Sequence, residues 1–297
     1  MSDAVSSSIP YRRFGNRTIL PGFHLSLGYT LIYVSLLVLI PMAFLVAKVF
    51  TEPFAATWAK ITSDRAIASY MLSFGASGIA ALINGVFGFI IAWVLVRYEF
   101  PGRRFADAVV DLPFALPTAV AGISLAVLYG KNGTFGEWVH WAVGPEAWRA
   151  GWATANSNIG VTIALTFIGL PFVVRTLQPV LEDLSTDIEE AAACLGATRW
   201  QTFWRIIVPA ILPAWLTGMT LAFGRAVGEF GSVIFIASGV IGRGEITPLV
   251  IYTTLEEGLY SQAAALGAVM LVFSFLILVV VSLLQAWNGR VTGSASV

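Results

Sequence analysis

Two charged side chains stand where the sequence is otherwise hydrocarbon. Arg225 and Glu229 lie in FGRAVGEFG, inside the apolar stretch Ile211–Ile236. Insertion scales disfavour a central arginine by roughly 2.5–3.5 kcal/mol, so it must face protein or a water-filled path rather than lipid. Spaced i, i+4, the two share a helix face and can pair. The spacing leaves two chemistries open. One is a self-contained structural ion pair. The other is a positive point on a path for an anion, with Glu229 holding Arg225 in place. Gly224, Gly228 and Gly231 flank the pair and are expected to allow close backbone approach.

Catalytic chemistry has little to draw on. Gly130-Lys131 is followed by Asn132 and lacks the upstream glycine of a phosphate cradle. The two histidines, His24 and His140, offer no plausible Ser/His/Asp set. A single cysteine, Cys194, excludes a disulfide framework, argues against a Cys/His metal site and reads as a small buried apolar residue. No enzyme activity and no cofactor bound by this chain are therefore expected. Asp107 and Asp111, one turn apart, read as dipole-favoured residues at a helix start.

The longest polar interruption is Glu182 to Pro213. Thr186 and Glu189 have the spacing of a capping box, which predicts a helix from Thr186 with Asp187, Glu189 and Glu190 in its first turn. Ala191, Ala192 and Ala193 extend it and Gly196 ends it. Thr198 and Gln201 repeat the spacing and start a second helix, with Trp200, Phe203, Trp204 and Ile207 on one face. Pro209 is expected to end that helix. A small-residue helix with an acidic start is well shaped to dock into a groove on another protein.

These residues must be held by membrane-spanning elements. Of 297 residues 57% are hydrophobic and only 11% charged, against about 25% charged in soluble domains. The zero net charge argues against a nucleic-acid partner. Six stretches reach the roughly 20 apolar residues that a bilayer core requires: Leu25–Phe50, Ile67–Val96, Val109–Tyr129, Ile159–Gln178, Ile211–Ile236 and Ala263–Gln285. Prolines and glycines are expected to break the third, fourth and fifth. Arg12, Arg13, Arg17, Arg97, Arg103, Arg104, Arg175, Arg199, Arg205 and Arg290 fall on one side of the resulting topology. Lys48, Lys60, Arg65, Lys131, Arg149 and Arg243 fall on the other. Positive charge concentrates inside, so both termini and the 182–213 stretch are placed in the cytoplasm. Trp138, Trp141, Trp148 and Trp152 suggest an outer helix at headgroup level, or a docking surface for an external protein. The fold class expected is an all-α polytopic membrane protein with six transmembrane helices. Residues 1–23 form a cytoplasmic arm, 24–288 the six-span domain with its loop at 182–209, and 289–297 a short tail.

One motif is more specific. Glu190-Ala191-Ala192, Gly196, Ile206, Val208 and Pro209 follow the spacing E-A-A-x3-G-x9-I-x-L-P, with valine where leucine is usual. This resembles the cytoplasmic loop of ABC importer (type I) permeases. NGVFG at 84–88, RYEFPGRR at 97–104, DLPFALPTAVAG at 111–122, PFVVRTLQPVLE at 171–182 and GEFGSVIFIASG at 228–239, with Leu20-Pro21-Gly22-Phe23, resemble the sulfate/thiosulfate permeases of the cysteine-biosynthesis T/U type. The resemblance implies a bacterial inner-membrane subunit of a heteromeric complex. Its partners would be a second, W-type permease, two ATPase subunits that bind ATP and Mg, and a periplasmic sulfate- or thiosulfate-binding protein. It implies ATPase coupling through Thr186, Glu189, Glu190, Ala191, Ala192, Gly196, Ile206 and Pro209, and a substrate path at Arg225, Gly228, Glu229 and Gly231. Molybdate/tungstate permeases share the GEFG block and form the neighbouring alternative. An autonomous channel or ion-coupled transporter is the alternative from another class.

Overall fold

The computed structural model describes residues 23–51, 53–147, 154–237 and 244–291. The N-terminal arm, Trp148, Trp152 and the tail from 292 lie outside the described residues, as do the first residues of the Leu20–Phe23 motif and the end of the 228–239 block. Among the described residues every element is helical. The chain divides into two compact units, Met1–Ala47 and Lys48–Val297.

In the first unit α1 (Phe23–Val34) runs through a π-turn at Ser35–Leu39 into α2 (Ile40–Val49). The stretch Leu25–Val49 is long and apolar enough to cross a membrane, and none of its residues is buried.

The second unit is built on three helices, α4 (Asp64–Arg97), α9 (Asn158–Asp183) and α12 (Val208–Val227). Ser63 starts α4 by accepting from the Ala66 amide at 3.3 Å, and 34 residues carry it about 51 Å, well beyond a hydrocarbon core. Its buried face is made of small residues, from Ser69, Ser73 and Ala76 to Gly85, Gly88 and Ala92. This smallness sets how close the helices lie. A Cβ on Gly88 would come within 2.9 Å of Val173 on α9, and one on Gly218 of α12 within 3.0 Å of the Val173 backbone. Below that crossing a core of Leu95, Val110, Val174, Leu177, Leu181, Ile207 and Ile211 closes one end of the bundle. Leu125, Val161, Leu165, Val233, Ile236 and Ile246 close the other.

The stretch Val109–Tyr129 is broken, as its prolines led one to expect. It belongs to α5 (Arg103–Val110), α6 (Leu112–Ala115) and α7 (Thr118–Tyr129). Leu116 is extended (φ −86°, ψ 135°) because the ring of Pro117 disfavours helical geometry at the residue before it. Pro171 and Pro213 do not break their helices. α9 and α12 continue through both, where packing against neighbours substitutes for the missing N–H. Among the described residues five helices are thus long and apolar enough to span: Leu25–Val49, Asp64–Arg97, Asn158–Asp183, Arg199–Val227 and Tyr260–Leu283.

Shorter helices fill the connections. α3 (Phe54–Ile61) and α14 (Thr247–Glu256) pack on α15 (Tyr260–Val291). α8 (Thr134–Ala147) turns Trp138 and Trp141 outward, the arrangement expected of indoles at headgroup level.

Candidate functional site: the exposed loop helix and the Arg225–Glu229 turn

The loop helix α10 (Thr186–Cys194) begins one residue earlier than the capping-box spacing implied. Ser185 is the cap, its hydroxyl accepting from the Asp187 amide at 3.1 Å, and Thr186 is the first helical residue. Glu189 is therefore free of the predicted box and meets Arg97 at the C-terminal end of α4, 2.8 Å away, in an ionic contact without hydrogen-bond alignment. Arg97 also donates to the Leu184 carbonyl (3.3 Å) and lies over the Trp93 ring, 5.4 Å from its centre. One guanidinium thus joins α4 to both the entry and the first turn of α10.

Gly196 ends α10 as expected. Its φ of +84° allows a Schellman closure, with the Ala197 amide donating to Ala192 (3.0 Å) and the Gly196 amide to Ala193 (2.9 Å). Ala192 is buried, whereas Glu190, Ala191 and Ala193 are exposed. Cys194 is exposed too, contrary to its reading as a buried apolar residue: the end of α10 stands away from the bundle, with Leu195 at 88% exposure.

The second capping box is formed as predicted. Thr198 Oγ1 accepts from the Gln201 amide (3.3 Å), and the Gln201 side chain accepts from the Thr198 amide (2.9 Å). α11 (Arg199–Thr202) follows, then a π-turn at Phe203–Ile207 leading into α12. Pro209 does not end the helix. The π-turn widens the hydrogen-bond register just before it, and Pro209 falls in the first turn of α12, where an N–H is not needed. That extra residue also splits the predicted aromatic face. Phe203 and Ile207 turn inward, while Trp200 and Trp204 are 69% and 51% exposed. Phe203 packs against Phe89 and Trp93 of α4, each 6.0 Å away between ring centres. Between α10 and these rings lies a groove of about 670 Å³, lined by Trp93, Glu189, Glu190, Ala193, Trp200 and Phe203 among others. Ile206 borders its neighbour beside Gly196 and Arg205.

At the far end of α12 the expected ion pair is formed, Arg225 Nη1 to Glu229 Oε2 at 2.6 Å. The two do not share a helix face, however, because α12 ends at Val227 and Glu229 sits in the turn beyond it. Its other oxygen accepts from the Ser232 amide (3.0 Å) and hydroxyl (3.1 Å), so the carboxylate also anchors the start of α13 (Val233–Ile236). Glu229 is only 2% exposed and Arg225 37%. Of the three glycines, Gly231 alone is sterically required: a Cβ there would collide with Thr118 on α7. Gly228 faces open space, and the atom nearest a Cβ on Gly224 is a Leu278 methyl at 4.0 Å. A Cβ on Gly122 of α7 would run into the Ser232 backbone. The DLPFALPTAVAG and GEFG blocks, a hundred residues apart in the chain, are thus pressed together.

Two polar clusters were not anticipated. Asp107 lies inside α5, and Asp111 stands at the N-cap of α6 without a side-chain cap hydrogen bond. Together they clamp Arg175 of α9: Nε donates to Asp111 (2.7 Å), Nη2 to Asp111 (2.6 Å) and the Asp107 carbonyl (2.9 Å), and Nη1 to Asp107 (2.7 Å) and Gln178 (2.6 Å). The Asp107 carboxyl is held below its ordinary range, first by hydrogen bonding from Gln178, against the penalty of burial, and then by Arg175. At the start of α4, Arg65 pairs with Glu245, whose carboxylate is 4% exposed, and also donates to Thr253 (3.2 Å). The pair borders a cavity of about 360 Å³. No local spacing signals either cluster, since their partners lie more than sixty residues apart. Among the described residues no group of three or more His, Cys, Asp or Glu could hold a metal.

Residues 84–292 match the family model described as "Binding-protein-dependent transport system inner membrane component". That match covers α4 from Asn84, the loop helices and the Arg225–Glu229 turn. The chain belongs to this family of inner-membrane transport components. It is 44% identical over 275 residues to the Escherichia coli "Sulfate transport system permease protein CysT", covering 93% of this chain and 96% of the relative. It is 46% identical over 261 residues to the protein of the same name from Synechocystis, covering 88% of each. In fold it resembles a chain of a bacterial alginate ABC transporter solved in complex with an alginate pentasaccharide-bound periplasmic protein. That match has a TM-score of 0.70 and 17% identity, over 92% of this chain and 96% of that one. The fold is thus that of an ABC importer permease, and the protein is a multi-pass component of the inner membrane.

Proposed function

We propose that this chain is the T/U-type permease subunit of an ATP-driven sulfate/thiosulfate importer. The observation that carries the substrate class is its 44% identity, along 93% of its length, to a sulfate transport system permease. In this reading it pairs with a W-type permease to form the path. It works with two copies of an ATPase that binds ATP and Mg, and receives substrate from a periplasmic binding protein. It has no ATPase site of its own.

Six crossings are proposed. Five are the long helices, and the third in chain order, Val109–Tyr129, is assembled from the last residues of α5 with α6 and α7, riveted to α9 through Arg175. Both termini lie in the cytoplasm, with a cytoplasmic arm at 1–23, the permease domain at 24–288 and a tail at 289–297. The loop 182–209 faces the ATPase. α10 is the docking helix, supported by its exposed Glu190 and Ala191 and by its acidic first turn. Closure of the ATPase dimer pulls α10. Gly196 and the Thr198 box pass the motion to Phe203, which leans on α4, and through Ile206 and Pro209 into α12. α12 carries Arg225 at its end. The guanidinium, partly exposed and bound at one nitrogen by Glu229, offers its remaining N–H groups to a passing oxyanion. Gly228 and Gly231 shape the turn beside it.

The test is uptake of labelled sulfate by vesicles holding the assembled complex, with and without ATP. ATP-dependent accumulation is expected. Accumulation by the purified chain alone, or none by the complete complex, would overturn the reading.

A further inference from the structure

Asn84 opens the NGVFG block and sits on α4 more than three turns from either end of the helix. Its side chain is fully buried, and neither its carbonyl oxygen nor its amide nitrogen has a hydrogen-bond partner. Three helices converge on it. A Cβ on Gly169 of α9 would run into the Asn84 nitrogen, and the same Cβ would meet the Ala222 methyl of α12 at 3.4 Å. Two turns toward the start of α4, Ser77 is likewise fully buried with its hydroxyl unpartnered.

An amide at this depth is costly to leave unsatisfied, since neither water nor headgroups reach it. Polar residues that tie helices together in membranes do so by hydrogen-bonding across the interface, and this one does not. It is no gap-filler either, because an apolar residue of the same shape would pack there without the penalty. A buried polar group without a partner points to a partner in another arrangement of the same helices. Pro171 withholds an N–H from the Phe167 carbonyl, so α9 keeps a spare acceptor close to Gly169. On α12, Arg225 follows Ala222 by three residues, about 4.5 Å along the axis. One guanidinium is a thin donor set for a tetrahedral dianion, and an amide buried beside Gly169 and Ala222 would widen it.

We infer that Asn84 is a hydrogen-bonding group of the translocation path, stored without a partner while α4, α9 and α12 are packed together and presented to the oxyanion when they part. The inference rests on the importer reading above.

The test places a thiol there, Asn84→Cys, in vesicles holding the assembled complex. An anionic, membrane-impermeant methanethiosulfonate is the probe, and its attachment is read at that peptide by mass spectrometry. Modification at least tenfold faster during ATP turnover than without nucleotide is expected. Equal, slow modification in both states would overturn the inference. Should the thiol variant fail to assemble, Asn84→Leu decides. It is expected to keep or raise the thermal midpoint while sulfate uptake falls at least tenfold. Uptake near that of the unaltered protein, or a lowered midpoint, would make Asn84 a packing residue only. Failure of the importer reading itself is seen separately, as absence of sulfate accumulation by vesicles with Asn84 in place.

Discussion

Arg97 and Glu189 face each other across 2.8 Å, joining the last turn of α4 to the first turn of the loop helix. Because Arg97 also holds the Leu184 carbonyl, it fixes where α10 starts. Arg97→Gln or Glu189→Gln is expected to loosen that joint without unfolding the bundle. ATP hydrolysis by the assembled complex should persist while sulfate uptake falls about tenfold, equivalent to about 1.4 kcal/mol of coupling. Parallel ATPase and uptake assays check this; a matched fall in both would point to failed assembly instead.

Gly196 sits at φ +84°, where a side chain is strained whatever the space around it. Gly196→Ala is expected to cost the α10 end about 1 kcal/mol and to fray it. Hydrogen exchange of the Ala197 amide should rise several-fold, with global stability little changed. Bulk or charge at Ala191 or Glu190 should leave exchange alone and still uncouple uptake from ATP hydrolysis.

The seat of the Arg225–Glu229 turn gives a steric prediction. Gly122→Ala drives a methyl into the Ser232 backbone, which cannot move as a flexible side chain could. A loss of about 1–3 kcal/mol in unfolding free energy is expected. Gly228→Ala, facing open space, should stay within about 0.5 kcal/mol. Thermal unfolding in detergent separates the two.

Removing Arg225 strands a carboxylate that is 2% exposed, although Ser232 still supports one of its oxygens. Arg225→Leu should destabilise by about 1–3 kcal/mol, discounted because the arginine itself is partly exposed. Adding Glu229→Leu should restore most of that stability without restoring uptake. Recovery of uptake by the double variant would reduce the pair to a structural one.

Acid should act through Asp107, whose carboxyl is held below its ordinary value of 3.8. A depressed carboxylate contributes stability that is fully present above the unfolded value and is lost as pH falls through the folded one. The advantage of the unaltered protein over Asp107→Asn should therefore hold at pH 5–7 and close progressively below about 4. Gln178→Leu, which removes the main cause of the shift, should move that closure upward. Thermal midpoints across pH 3–7 decide.

What was legible in the sequence followed from local rules. The Thr198–Gln201 box, the Gly196 terminus and four of the long helices are fixed by spacing and propensity within a few residues, and they were readable. The start of α10 slipped by one because Ser185 and Thr186 are both competent caps, and only Arg97, ninety residues away, draws Glu189 out of the box. Prolines were only partly readable. Pro117 breaks its stretch through Leu116, whereas Pro171 and Pro213 are carried by neighbours that no window on the sequence includes. The Arg175 clamp, the Arg65–Glu245 pair and the orphaned Asn84 are products of long-range packing and left no local trace.

The Arg175 clamp has a consequence of simple stoichiometry. A guanidinium has five N–H groups, and here all five are taken, by Asp107, Asp111 and Gln178. To a passing anion this arginine is chemically silent: its charge is matched by two aspartates and it has no proton left to offer. Lysine, with the same charge but three donors, could not serve all five of those acceptors. The positive side chains of this protein thus divide by spare valence into those that fasten helices and those that can still greet a ligand.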